Sequence, residues 1–229
     1  MTRRVVVEVT VGAPVDVVWR ALREPAAIAR WFGWEYDGLE AEIGQIFGEL
    51  STASDEERTL DTGDGRFALE PRDAGWDGMY EEIERGWVAF VAQLRFAFER
   101  HEGEDRRTLF LAGNARDPLA PEPARALGLA AAAEAPVGEP YETATSVGER
   151  LAGRVELRAG HVLALSVDAW GDGLLVFAGT ARPDAPTGGA MAILTTYGLD
   201  GAAHEALGAR WSAWWDERYA PAGAASAPA

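Results

Sequence analysis

The chain has 229 residues, 48% hydrophobic and 25% charged, with a formal charge of −16 and no cysteine. That balance belongs to a folded chain of one large or two small domains. It excludes disulfides, thiolate nucleophiles and cysteine-based metal sites, and argues against nucleic acid, whose phosphates need clustered Lys and Arg.

The first element in chain order is Arg3–Val11, a β-branched run bounded by Gly12 and Pro14 that reads as a strand. Val15–Leu22 follows, with Val15, Val18, Trp19 and Leu22 on one helical face and Pro14 suited to its first turn. Pro25 breaks that helix and starts a second short one ending at Trp31, after which come Phe32, Trp34 and Tyr36. Gly33–Leu39, Ile43–Leu50 and Arg66–Pro71 are expected to be antiparallel strands, with Glu57–Leu60 a weaker fourth. Thr62-Gly63-Asp64-Gly65 carries a hairpin-turn signal, and Ser51–Glu57 is an acidic loop.

Met79–Arg100 is the organising helix of this half. Tyr80, Ile83, Trp87, Val91, Leu94 and Phe98 recur at steps of three and four, so they share one stripe. Acids crowd its first turn and Arg100 and His101 its last, as the helix dipole favours. Such a helix, about 22 residues and about 33 Å long, needs a broad concave partner.

Past Glu104 the order begins again. Arg107–Ala112 reads as a strand and Pro121–Ala133 as an Ala- and Leu-rich helix. Strands are expected at Glu142–Val147, Arg154–Arg158, Val162–Ala169, Leu174–Ala178 and Ala190–Thr196, separated by glycine-bearing turns. Ala202–Tyr219 closes the half as a helix with Leu207, Trp211, Trp214 and Trp215 on its apolar side. The expected organisation is therefore α+β, in two similar units at about 1–104 and 105–220. A tail at 221–229, rich in Ala, Pro and Ser, is expected to be disordered.

The first unit resembles the activator-of-heat-shock-ATPase homologue family, within the START and birch-pollen-allergen-like superfamily. The resemblance rests on VEVTVGAPVDVVWRALREPAAIARWF at Val7–Phe32, which is similar to that family's opening strand, its apolar-Pro-x-x-x-Val-Trp helix and its second helix ending in Trp. Gly86-Trp87, followed by Phe90 and Leu94, is a second match. The whole chain also looks like longer actinobacterial-type relatives with a C-terminal extension. The resemblance implies a helix-grip fold: an antiparallel sheet curved around the long helix, with an apolar cavity between them. In one respect the chain departs from the family. The stretch between Gly44 and Gly78 holds only about two or three strands of ordinary length, which is few for that sheet.

The histidines His101, His161 and His204 lack partners at ligand spacing, and Gly208 stands where a zincin motif begun by His204-Glu205 needs its second His. Asp55, Glu56, Glu57, Asp61 and Asp64 lack the spacing of a calcium loop. All 21 basic residues are Arg, so neither Schiff-base lysine chemistry nor a lysine-bearing phosphate loop exists here. There is no Gly-x-Ser-x-Gly elbow. Glu35 and Asp37 are the least bland acids, although alternation lets them face solvent. No cofactor or metal is expected. No run reaches the ~18 apolar residues of a membrane span. The start leads into no signal-peptide core, so a cytoplasmic location is expected.

The aromatic residues remain. Trp31, Trp34, Phe47, Phe67, Tyr80, Trp87, Phe90, Val91 and Leu94 are the candidates to line a cavity for a hydrophobic small molecule such as a lipid, polyketide or aromatic metabolite. The competing reading is that these side chains only fill a core. A non-catalytic binding protein is the leading expectation. A cyclase or hydrolase of polyketide-like substrates, using Glu35, Tyr80 or Arg95, is one alternative. A protein-interaction module or chaperone accessory is another, and a homodimer with the second unit as its interface is compatible with the first reading.

Overall fold

The computed structural model describes residues 8–52, 60–61, 66–68, 77–117, 119–182 and 185–221. The chain divides into two compact units, Met1–Arg106 and Arg107–Ala229. Among the described residues no helix is long and apolar enough to cross a membrane.

Unit 1 opens with strand β1 (Glu8–Thr10) and helix α1 (Val15–Ala21). Pro14 is the N-cap of α1, and Pro25 starts helix α2 (Pro25–Ile28). At both places the missing proline N–H would have had no helical partner. The Trp31 indole N–H donates to the Ala21 carbonyl at 2.8 Å, satisfying a group that the end of α1 leaves open. Gly33 adopts a φ of 58°, which only glycine takes readily, and turns the chain out of α2. Helix α3 (Leu39–Thr52), strands β2 (Leu60–Asp61) and β3 (Arg66–Ala68), and helix α4 (Asp77–Arg100) follow. β3 pairs antiparallel with both other strands, in the order β1-β3-β2, with Val9 opposite Phe67 and Leu60 also opposite Phe67.

Two expectations fail in this unit. Gly33–Leu39 is a turn and irregular segment, and Ile43–Leu50 lies inside α3. The reason is periodic: Leu39, Ile43, Ile46 and Phe47 step by three and four and all pack into one cluster. Gly44 and Gly48 lower the helix propensity of that run and masked its period. The sheet of unit 1 is therefore three short strands among the described residues, not a meander through 33–50. The turn read at 62–65, residues 57–59 of the weak strand, and the tail at 222–229 lie outside the described residues.

Unit 2 is built on a seven-stranded antiparallel sheet. Its strands are β4 (Arg106–Ala115), β5 (Pro140–Ala144), β6 (Arg150–Ala159), β7 (Val162–Val167), β8 (Gly173–Arg182), β9 (Ala185–Tyr197) and β10 (Tyr219–Ala220). The order is β10-β4-β9-β8-β7-β6-β5, so a five-strand meander returns its last member beside β4. Between β4 and β5 stand helices α5 (Pro123–Leu127) and α6 (Ala130–Glu134). They replace the single helix read at Pro121–Ala133, because Gly128 takes a φ of 101° and caps α5. A register shift between Val155 and Leu157 marks a bulge in β6.

Helix α7 (Gly201–Arg218) begins at Asp200, whose side chain accepts from the Ala203 N–H at 2.8 Å. Leu207, Trp211, Trp214 and Trp215 of α7 are buried with Leu151, Val155, Leu165, Trp170, Leu175, Phe177 and Leu194 in one core. Every residue of β7 is buried, so both its faces are covered.

Candidate functional site

The aromatic candidates come from three segments of unit 1. Trp31 and Trp34 sit at and beyond the end of α2, Phe47 on α3, and Trp87, Phe90, Val91 and Leu94 on α4. The fold brings five of their rings into one network. Trp31 and Phe47 meet edge to face at 5.8 Å, Phe47 and Trp87 at 6.2 Å, Trp87 and Phe90 at 6.1 Å, and Trp34 and Phe90 at 6.5 Å between ring centres. These distances and tilts are the favourable ones for ring quadrupoles, worth about 0.5–1.5 kcal/mol per pair beyond burial.

Phe32, which was not a candidate, is the hub of the network. Its ring lies 5.8 Å from Trp31, 5.0 Å from Phe47, 6.1 Å from Trp87 and 4.7 Å from Phe90. Nothing local in the sequence distinguishes which of the two adjacent rings, Trp31 or Phe32, becomes central. Leu94 belongs to the same cluster. Val91 does not: it packs with Val9, Val11 and Val18. One residue beyond Phe90 is a rotation of about 100° on a helix, which turns Val91 toward another neighbour. The side chains of Phe67 and Tyr80 lie outside the described residues.

The cluster is graded from closed to open. Trp31 and Phe32 are 1% exposed and Leu94 0%, whereas Trp34, Trp87 and Phe90 are half-buried. Tyr36, whose ring centre is 6.3 Å from that of Trp34, is 46% exposed.

A buried guanidinium holds the closed side in place. Arg106 donates to the carbonyls of Trp31 at 3.0 Å and Phe32 at 2.5 Å, and to Gln93 Oε1 at 2.8 Å. Those carbonyls follow α2, where helical partners run out, so the cation satisfies acceptors that the buried backbone would otherwise leave open. The open side is acidic. Tyr36 donates its phenol proton to Glu42 Oε2 at 2.6 Å, and this bond to the carboxylate raises the Tyr36 pKa above 10.0. Glu35, Asp37 and Glu40 are exposed.

Of the residues suggested for catalysis, Arg95 is engaged in a structural ion pair. Arg95 donates to Glu99 Oε2 at 3.0 Å, and Glu99 Oε1 accepts from the Gly12 N–H at 2.8 Å, so the pair ties α4 to the turn after β1. Among the described residues no group of three His, Asp or Glu is placed to hold a metal ion. An open depression of about 540 Å³ on unit 2 is lined by Pro140, Tyr141, Glu142, Ala152, Gly153, Arg154 and Asp168, none of them a candidate. Tyr141 there donates to the Ser166 carbonyl at 2.7 Å and Arg154 to the Gly138 carbonyl at 2.9 Å.

No family model, curated protein or solved structure matches the chain. The fold class is mixed α+β with a large antiparallel sheet.

Proposed function

We propose that the chain is a helix-grip protein whose first unit binds an apolar, aromatic small molecule without catalysing its conversion. Support for the fold comes from unit 2, where a first strand, two short helices, a five-strand meander returning beside that strand and a long closing helix follow in helix-grip order. The space between α7 and its sheet is occupied by Trp170, Trp211, Trp214 and Trp215, which directs the binding reading to unit 1.

The observation that carries the reading is the graded aromatic cluster. Its inner rings are sealed, and its outer rings Trp34, Trp87 and Phe90 keep surface that water reaches. Wet aromatic surface backed by rigid packing gains free energy when a flat apolar molecule covers it.

The test is a titration of the full chain with the neutral fluorophore N-phenyl-1-naphthylamine, read by energy transfer from tryptophan. Saturable binding is expected, weakened about tenfold in Phe90→Ala and Trp87→Ala through the loss of one ring contact. Circular dichroism melting identifies variants that fail to fold. Absence of saturable binding to the unaltered chain overturns the reading.

A further inference from the structure

The depression on unit 2 is organised around one buried residue, Ser166 of β7. Tyr141 of β5 stands opposite Gly153 of β6, and its hydroxyl reaches across that strand to donate to the Ser166 carbonyl at 2.7 Å. A Cβ at Gly153 would strike the same carbonyl, so a glycine is needed for it to sit where the phenol reaches it. Ser166 also fixes Arg154, because its Oγ accepts from the Arg154 backbone N–H at 2.8 Å. The Arg154 side chain is tied down in turn, with Nη1 donating to the Gly138 carbonyl at 2.9 Å. Burial, and after it the carboxylates of Asp168 and Glu156, push the Tyr141 pKa up. The hydroxyl therefore keeps its proton for Ser166, and the depression receives only the ring.

Three charged side chains line this depression: Glu142, Arg154 and Asp168. Glu142 is already engaged, accepting from Arg150 Nε at 2.7 Å. Among the described residues neither Arg154 nor Asp168 makes an ion pair, with the other or with a third group, and the Asp168 carboxylate accepts no hydrogen bond. One charge of each sign thus faces the same space without neutralising the other. The bond from Nη1 to Gly138 leaves the Nε–Nη2 edge of the guanidinium, which takes a carboxylate through two parallel bonds. A purely anionic molecule is repelled by a chain of formal charge −16, and a purely cationic one meets Arg154. A molecule carrying both charges escapes both penalties. The volume, about 540 Å³, lies within the range of about 300–1,000 Å³ usual for small-molecule sites.

We propose that this depression binds a zwitterionic amino acid with an apolar side chain. The ligand's carboxylate lies on the Nε–Nη2 edge of Arg154, its ammonium on Asp168, and its side chain against the ring of Tyr141 beside Pro140. The site belongs to unit 2 and is independent of the binding reading given for unit 1.

The probes are L-phenylalanine, hydrocinnamate, which lacks its ammonium, and phenethylamine, which lacks its carboxylate. Each is titrated into the full chain and followed by amide nitrogen–proton correlation spectra. L-Phenylalanine is expected to shift the amides of Tyr141, Gly153, Arg154 and Asp168 saturably. It should bind at least about fivefold tighter than either analogue, a ratio in keeping with one exposed ion pair. In Asp168→Asn its advantage over hydrocinnamate should vanish while that over phenethylamine persists. In Arg154→Gln the reverse is expected. Unshifted amides in β8 of each variant show that unit 2 is still folded. No saturable shift at the four amides up to about 20 mM, or equal affinity for the three probes, overturns the inference. Advantages that survive both substitutions overturn it as well. Each of these outcomes leaves the reading of unit 1 standing.

Discussion

Arg106 and Trp31 are locked together by a single hydrogen bond: the buried guanidinium donates an N–H to the Trp31 carbonyl at 3.0 Å, across 75 positions of chain. Trp31 in turn donates its indole proton to Ala21 at 2.8 Å. The sequence-distant cation therefore holds the turn after α2, and that turn holds α1. Replacing Arg106 with Met leaves several buried carbonyls without donors. A loss of about 2–4 kcal/mol is expected, because unsatisfied buried acceptors keep their full desolvation cost. Urea unfolding measures it, and a red shift of tryptophan emission in the native baseline would show the aromatic segment loosening. Arg106→Lys should recover only part of the loss, since an ammonium lacks the planar fork.

The helical nature of α3 makes a second prediction. A Cβ at Gly44 meets nothing within 4 Å, and the same holds at Gly208 in α7. Gly44→Ala and Gly208→Ala should each stabilise the chain by about 0.5–1 kcal/mol, by restricting the unfolded chain inside what is already a helix. Urea midpoints are the readout. A destabilised Gly44→Ala protein would contradict a helix at that position.

Glu149 anchors the turn between β5 and β6 onto α7. It accepts from Arg210 Nε at 3.0 Å, from a second nitrogen of the same guanidinium, and from the Trp211 indole at 3.3 Å. Nearby, Ser146 Oγ accepts from the Trp214 indole at 2.8 Å. Glu149→Gln should cost about 1–2 kcal/mol, since the charge-assisted bonds are replaced by weaker neutral ones. Hydrogen exchange at residues 145–149 should quicken in the variant while β7 and β8 keep their protection.

Tyr219 predicts how stability responds to alkali. Burial pushes its pKa from 10.0 up to about 12, with Arg218 pulling it down and Glu122 pushing it further up. The folded state therefore keeps the proton that the unfolded chain releases near pH 10. The resulting stabilisation is complete below about pH 10 and is lost as pH rises through about 12. Burial also raises Tyr141. Urea unfolding between pH 9 and 12 should show stability falling, with a shallower fall in Tyr219→Phe. Phe keeps the ring stacked on Trp215, whose centre is 4.2 Å away.

Unit 2 was the more legible half. Its strands alternate with glycine-bearing turns, and the structure places a strand over or across each predicted range, with α7 at Gly201–Arg218 against a predicted Ala202–Tyr219. Unit 1 was read well where prolines and a long apolar stripe stand, as in α1, α2 and α4. It failed at 33–50, where aromatic residues and glycines imitate a strand while the apolar steps follow a helix. Of the candidate rings, five meet, yet the residue that joins them, Phe32, is not among the candidates. Trp31 and Phe32 are adjacent in chain and alike in character, so only packing against α3 and α4 ranks them.

What the sequence by itself determined is local: the two long amphipathic helices, the proline-started short ones, and the strands of unit 2 between their turns. Periodicity and backbone restriction act within a few residues, so they can be read along the chain. What only the tertiary structure decided is which distant parts meet. It put β4 beside β9, set Arg106 beneath Trp31, and divided the aromatic cluster into a sealed side and an acidic, open rim. Those outcomes follow from burying apolar surface and satisfying buried carbonyls at the same time, and many partners of one residue type compete to do so.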